Sequence, residues 1–273
     1  MESRRISLIL GSLALSVVRM PSIEVILGVQ FFNGAVEEAV EMISVNGGLL
    51  VVPAAPALVR LSEDEDYRRA LTSADIVIAD SGAMVLLWKL FTGRRVERIS
   101  GLKFLKRLVA RLASHPEERV LWIVPTEPAH EKATAWLRSV NLSASADFYI
   151  APRYAAHVRD DALVAKIDTH RPSHVVVGIG GGVQEKLGLF LKENLRTRPA
   201  IHCIGAALAF LTGDQPPIPM WADHFYLGWL LRLVRQPRVF GPRYLSALKL
   251  PALLLRHGRT LPPLRSRKRR TDD

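Results

Sequence analysis

Seven short apolar runs, rich in valine and isoleucine, recur along the chain at 22–29, 49–52, 76–79, 120–124, 147–150, 175–178 and 200–204. Stretches with helical spacing of apolar and charged residues lie between them, at 35–43, 64–71, 102–113, 127–140, 160–168 and 184–195. Runs too short for a helix, alternating with amphipathic helices, predict a mostly parallel, doubly wound α/β sheet with helices on both faces, Rossmann-like in kind. In such sheets ligands bind in the crevice outside the carboxyl ends of the strands. The residues that follow each run are therefore the candidates for chemistry.

Two of these strand ends stand out. The segment Ala74 to Gly82 reads A-D-I-V-I-A-D-S-G, so Asp80 ends an apolar run. Arg94, Arg95 and Arg98 follow within one short span. An acid at a strand tip with arginines downstream suits a phosphorylated substrate, although an Asp there also suits the cap of the next helix, and the arginines suit ordinary surface positions. The second strand end is Val177-Gly178-Ile179-Gly180-Gly181-Gly182-Val183-Gln184-Glu185-Lys186. Its backbone N–H groups, backed by a helix N-terminus, can hold a diphosphate. Its glycines do not make the dinucleotide fingerprint, and a plain tight turn is the competing reading.

Other chemistries find no pattern. The chain has one cysteine, Cys203, which excludes an intrachain disulfide framework and a cysteine metal cage. The eight histidines are scattered and form no ligand spacing, and neither a nucleophile elbow nor a Walker loop is present. No resident metal or cofactor is expected.

The net charge of +11 is uneven. Twelve Lys/Arg against three Asp/Glu lie between Pro216 and Asp273, with Phe225, Tyr226, Trp229 and many leucines interleaved. Cations among aromatics and leucines suit an anionic membrane surface; a nucleic-acid patch and a solvated tail remain as alternatives. The proline cluster Pro216-Pro217-Ile218-Pro219 marks a boundary. The expected organisation is an apolar N-terminal segment (1–21), an α/β core (22–215) and a basic helical appendage (216–273). Arg4-Arg5 followed by the uncharged stretch Ile6 to Val18 leaves an anchor, a signal peptide and a mis-assigned start all open.

Four segments together resemble the WecG/TagA/CpsF family of bacterial glycosyltransferases. They are Ala74-Asp75 with Ala79-Asp80-Ser81-Gly82; Glu97-Arg98-Ile99-Ser100-Gly101; the loop Gly180 to Lys186 with Gln184-Glu185; and Trp229 to Leu233 with Gln236-Pro237-Arg238 and Arg243-Tyr244. Pro152-Arg153-Tyr154 stands where that family often carries Pro-Pro-Tyr/Phe. The resemblance implies an inverting, metal-independent transfer of an N-acetylmannosamine-like sugar from a UDP-sugar to a polyprenyl-diphosphate-linked acceptor, in cell-surface polysaccharide synthesis. It implies Asp80 as general base, with Arg98, Gly180, Gln184, Glu185, Arg232, Arg238 and Arg243 binding substrate. It further implies a peripheral place on the inner face of the bacterial cytoplasmic membrane, no nucleic-acid partner, and leaves room for a homo-oligomer. The chain departs from the family pattern at Pro53-Ala54-Ala55, where a Thr-x-Asn is usual, and at Gly181-Gly182-Val183, which lacks the loop proline. A degenerate relative that binds a sugar nucleotide without turning it over is the alternative these departures keep open.

Overall fold

A computed structural model of the chain describes residues 21–214, 238, 241 and 245–265. The strands are β1 (Ser22–Ile26), β2 (Val29–Asn33), β3 (Gly48–Val51), β4 (Ile76–Val77), β5 (Val120–Val124), β6 (Ala146–Ile150), β7 (His174–Val177) and β8 (Ala200–Cys203). They form one sheet in the order β1-β2-β4-β3-β8-β7-β5-β6. β1 and β2 are antiparallel, and every other neighbouring pair is parallel. The expected doubly wound α/β sheet is thus present.

The helices are α1 (Val36–Asn46), α2 (Ala55–Leu58), α3 (Glu65–Thr72), α4 (Gly82–Thr92), α5 (Gly101–Ala113), α6 (Glu127–Ser139), α7 (Asp161–His170), α8 (Gln184–Asn194), α9 (Ala207–Leu211) and α10 (Leu250–His257), with a 3-10 turn at Val59–Ser62. Strand side chains alternate between faces, and β3 shows the result. Leu49 and Val51 join one core with Tyr67 (α3), Met84 and Trp88 (α4), Leu163 (α7), Leu187 (α8) and Leu254 (α10). Leu50 and Val52 join the other with Val40 (α1), Phe104 (α5), Leu137 (α6) and Leu208 (α9). Burial on both faces is why these runs read as continuously apolar rather than alternating. Side-chain oxygens at Asp64, Ser81, Ser100, Thr126 and Asp160 cap α3, α4, α5, α6 and α7, each cap contributing about 1 kcal/mol.

The run at 22–29 folds differently from a single strand. Leu27 (φ 51°) and Gly28 (φ 75°) take left-handed conformations, which turn the chain back into β2 as a hairpin. That turn is held by the far end of the chain. Leu27 N–H donates to Gly258 O (2.8 Å) and Gly28 N–H to Arg259 O (3.0 Å). A Cβ on Gly28 would stand 2.6 Å from Leu261 Cβ, so glycine is required there by contact as well as by φ. The apolar run at 248–255 also becomes a structured element: α10 buries Leu250 and Leu254 in the first core. Among the described residues no helix is long and apolar enough to cross a membrane.

Candidate active site

Register aligns the strand ends that matter. Val77 of β4 pairs with Val51 of β3, Val51 with Cys203 of β8, and Cys203 with Val177 of β7. All four strands run the same way from this row, so Asp80, Pro53, Gly205 and Gly180 leave the sheet along one edge. Strands sit about 4.8 Å apart, which puts β4 and β7 roughly 14 Å from each other. A ligand touching both Asp80 and the glycine turn must extend along the edge between them.

Asp80 is half-buried, and it is not the cap of the next helix. Ser81 Oγ, rather than Asp80, caps α4 by accepting from Met84 N–H (3.2 Å). Asp80 Oδ1 instead accepts from Gly101 N–H (3.3 Å), the first residue of α5. The carboxylate thus faces a helix N-terminus, where a negative charge is favoured. The same strand end binds Arg98: Ala79 bridges to it, Ile99 N–H donates to Ala79 O (3.1 Å), and Arg98 Nε donates to Asp80 O (2.9 Å). Gly101 lies so near the end of β8 that a Cβ would sit 2.8 Å from Ile204 O. Two of the motif segments, at 79–82 and 97–101, therefore form one unit at the tip of β4.

At the tip of β7, Gly180 (φ 101°) and Gly182 (φ 97°) take conformations reserved for glycine. Gly182 N–H donates to Glu185 Oε2 (2.6 Å) and Gln184 Nε2 to Glu185 Oε1 (3.3 Å). Both side chains are fully buried or nearly so, so Glu185 shapes the turn from inside. Burial pushes its carboxyl up, against the hydrogen bonds from its own N–H, Gly182 and Gln184 and the charge of Arg60. Gln184 Oε1 has no hydrogen-bond partner, and Gln184 Nε2 lies toward Gly205 at the tip of β8.

Arg60 and Asp64, which sequence reasoning missed, complete this side together with Lys186 of the motif loop. The Arg60 guanidinium occupies the space that a Cβ on Gly182 would need. Its Nη2 pairs with Asp64 Oδ2 (2.6 Å), its charge lies 5.4 Å over the Tyr67 ring, and Lys186 Nζ reaches the same Asp64 oxygen (2.8 Å). Partial burial raises the Asp64 carboxyl, but the Lys186 hydrogen bond and charge, the Tyr67 N–H and Arg60 outweigh it and hold it below its usual value. Two cations share one carboxylate beside the turn. No local pattern marks Arg60, because its role comes from a contact across 122 positions of chain, to Gly182.

The remaining expected residues divide. Tyr154 OH donates to Asp160 Oδ2 (2.7 Å), the α7 cap, so the tyrosine of Pro-Arg-Tyr braces the loop after β6. Lys186 Nζ donates to Ala156 O (3.3 Å), tying that loop to the glycine turn. Arg94 pairs with Glu24 (3.3 Å), away from Asp80, and Arg95 is exposed. Arg238 is exposed in a helical turn. Arg232 and Arg243, like residues 1–20 and most of 215–244, lie outside the described residues. Among the described residues no three His, Cys, Asp or Glu side chains are grouped so as to hold a metal ion.

The sequence match to known proteins spans this whole unit. The model of the glycosyl transferase WecG/TagA/CpsF family matches residues 24–265, from β1 to beyond α10. One similar protein, 25% identical over 222 residues, is the N-acetylglucosaminyldiphosphoundecaprenol N-acetyl-beta-D-mannosaminyltransferase of Bacillus spizizenii; the match covers 78% of this chain and 81% of that one.

Proposed function

The chain belongs to the WecG/TagA/CpsF family of glycosyl transferases, and from that premise we propose that it moves an N-acetylmannosamine-like sugar from UDP to a polyprenyl-diphosphate-linked sugar. The acceptor class follows the name of the Bacillus relative, which acts on an N-acetylglucosaminyl diphosphoundecaprenol. The observation that carries the reading is the shared edge: an acid held at the tip of β4 and a glycine turn at the tip of β7, in register on the same side of the sheet.

Asp80 takes the proton from the acceptor hydroxyl as that oxygen attacks the anomeric carbon from the face opposite UDP. The new glycosidic bond forms as the bond to the β-phosphate oxygen breaks, with inversion. The proton goes to the carboxylate and the electron pair to the diphosphate. Developing charge on the leaving group calls for cations and N–H donors. Arg98, the Gly180–Gly182 turn and the Arg60–Lys186 pair supply them, joined by the appendage arginines 232, 238 and 243. Gln184 and Glu185 hold the donor side in shape. The resemblance implies that no metal is needed, and transfer should persist in excess EDTA. The enzyme works peripherally on the inner face of the cytoplasmic membrane, where a lipid-linked acceptor presents its diphosphate.

A positioned general base typically contributes about 10²–10⁴-fold. Asp80→Asn should lower UDP release by that factor in an assay with UDP-N-acetylmannosamine and a lipid-linked acceptor, while UDP still raises the melting temperature. Equal turnover by both proteins removes Asp80 from the mechanism. Pro53-Ala54-Ala55 at the tip of β3, between Asp80 and Gly205, favours a second reading: a relative that binds the donor without transferring it. Saturable UDP stabilisation with no turnover by the unaltered protein is its signature.

A further inference from the structure

α4 and α10 lie side by side on one face of the sheet, and each buries one stripe in the same core: Met84, Val85 and Trp88 from α4, Leu250 and Leu254 from α10. Their opposite stripes therefore face outward together. Those stripes are mostly apolar, with Lys89 and Arg256 as the exposed cations beside their leucines. Leu86 and Leu90 of α4 are 51% and 77% exposed, and Leu248 and Leu255 around α10 are 72% and 66% exposed. Helix-covered surfaces normally carry charged residues on that side, and a contiguous exposed apolar patch marks an interaction site.

The surroundings say what covers it. Residues 82–95 and 245–265 contain no Asp or Glu, but they contain Lys89, Arg95, Lys249, Arg256 and Arg259, all exposed. A cleft between α10 and the 3-10 turn is lined by Lys249, Arg256 and Arg265 beside Ala252 and Leu253. The acids at the rim are Glu24, which pairs with Arg94, and Glu63, which lies 3.7 Å from Lys249 and 3.9 Å from Arg265. Leucines flanked by cations, beside a cleft lined by further cations, complement an anionic bilayer surface: the leucines enter the acyl boundary and the cations meet the phosphates.

We propose that α4 and α10 form one docking platform for an anionic bilayer, so that a helix of the α/β core, α4, joins the appendage helix α10 in setting how the enzyme sits on its membrane. The inference rests on the reading of a lipid-linked acceptor for its choice of a bilayer as occupant. Its consequence is geometric. Leu86 lies four residues into α4, about 6 Å along the helix from Gly82 at 1.5 Å per residue, and Asp80 directly precedes the helix cap Ser81, so the platform holds the acid near the surface that presents the acceptor. The segment 258–265 pins this arrangement through the backbone hydrogen bonds at Leu27 and Gly28.

The test is sedimentation of the full chain with vesicles of phosphatidylcholine containing 30% phosphatidylglycerol. L86E/L90E should lower the partition coefficient about tenfold or more, with its melting temperature and its stabilisation by UDP unchanged. R256Q should lower it several-fold and weaken its dependence on salt. M42E/V45E, which changes exposed apolar residues on α1 across the sheet, should bind as the unaltered protein does. Undiminished binding by L86E/L90E overturns the proposal. So does a shift from dimer to monomer in light scattering with vesicle binding intact, which would make the occupant a second copy. Vesicle binding and Asp80→Asn turnover are separate readouts, so failure of the transferase reading leaves the platform standing or fallen on its own result.

Discussion

The two ends of β7 and β8 carry equally polar clusters that differ in kind. At the C-terminal ends lie the glycine turn, Gln184, Glu185 and the Arg60–Asp64–Lys186 group, opening onto the site edge. On the other face and away from that edge, His174 at the start of β7 stacks on His202 within β8, ring centroids 5.3 Å apart, and His202 also packs on Phe104. A carboxylate only accepts hydrogen bonds, so His174 Nε2–H donates to Glu118 Oε2 (2.8 Å) and His174 Nδ1 accepts from His202 Nε2–H (3.0 Å). Glu118 is anchored by Arg111, which also holds Glu41. This chain of groups ends at a buried, unpartnered His202 Nδ1. Titratable residues thus cluster at both ends, but among the described residues glycines with positive φ directly flank β7 and β8 only at their C-terminal ends. Access and exposed backbone, more than polarity, separate a site from a strut.

The largest effect should come from the open end. Gly182→Ala forces a left-handed residue, costing about 1–2 kcal/mol, and drives the new methyl into the Arg60 guanidinium. Arg60 must swing off Asp64 and Tyr67, so UDP affinity should fall about tenfold or more by calorimetry. Gly180→Ala carries comparable strain with nothing within 4 Å of the new Cβ, and should spare Arg60. The comparison becomes sharper in the Arg60→Ala background, where the extra cost of Gly182→Ala over Gly180→Ala should vanish. If it persists, Arg60 is not what that turn must avoid.

These contrasts also show what the sequence could reveal. The sheet was legible because buried parallel strands leave continuous β-branched runs; Asp80 could be singled out because it directly follows such a run, and Gln184 and Glu185 because they follow the glycine turn at the end of another. The hairpin at Leu27-Gly28 was not, because its turn is held by residues 258–261, far along the chain. Arg60 was hidden for the same reason. The α10 helix was read only as part of a basic appendage, since an apolar run beside cations gives no sign that Leu250 and Leu254 enter the core.

The sealed end should respond to acid. Burial holds His174 below its ordinary value, against its hydrogen bond to Glu118, and burial followed by the neighbouring His174 holds His202 well below it. Folding therefore disfavours the protonated form of both, so from about pH 6.5 downward the unfolded chain binds more protons. Stability is then fully present above the unfolded value and falls as pH drops, by about 1.4 kcal/mol per pH unit for each proton. Urea midpoints between pH 7.5 and 5 should show the decline, and His174→Phe with His202→Leu should flatten it. A decline unchanged in that double variant would place its origin among the surface carboxylates instead.

The smallest effect should be Glu185→Gln, although Glu185 is the most deeply buried acid of the site. Its folded pKa is raised, so the protonated form is favoured by folding. That contribution is fully present below the ordinary carboxylate range and is lost as pH rises through the raised value; the amide removes the dependence. Its oxygen can still accept from Gly182 N–H, while its new N–H₂ would face the Gln184 amide nitrogen. Gln184 Oε1 has no hydrogen-bond partner as it stands, so a flip of the Gln184 amide turns that clash into a hydrogen bond, worth about 1 kcal/mol. Stability near neutral pH should therefore change by no more than about that amount, and should be gained rather than lost at alkaline pH. A large loss at pH 8 would mean that the turn needs the carboxylate charge, and that the open end is as rigidly specified as the histidine pair.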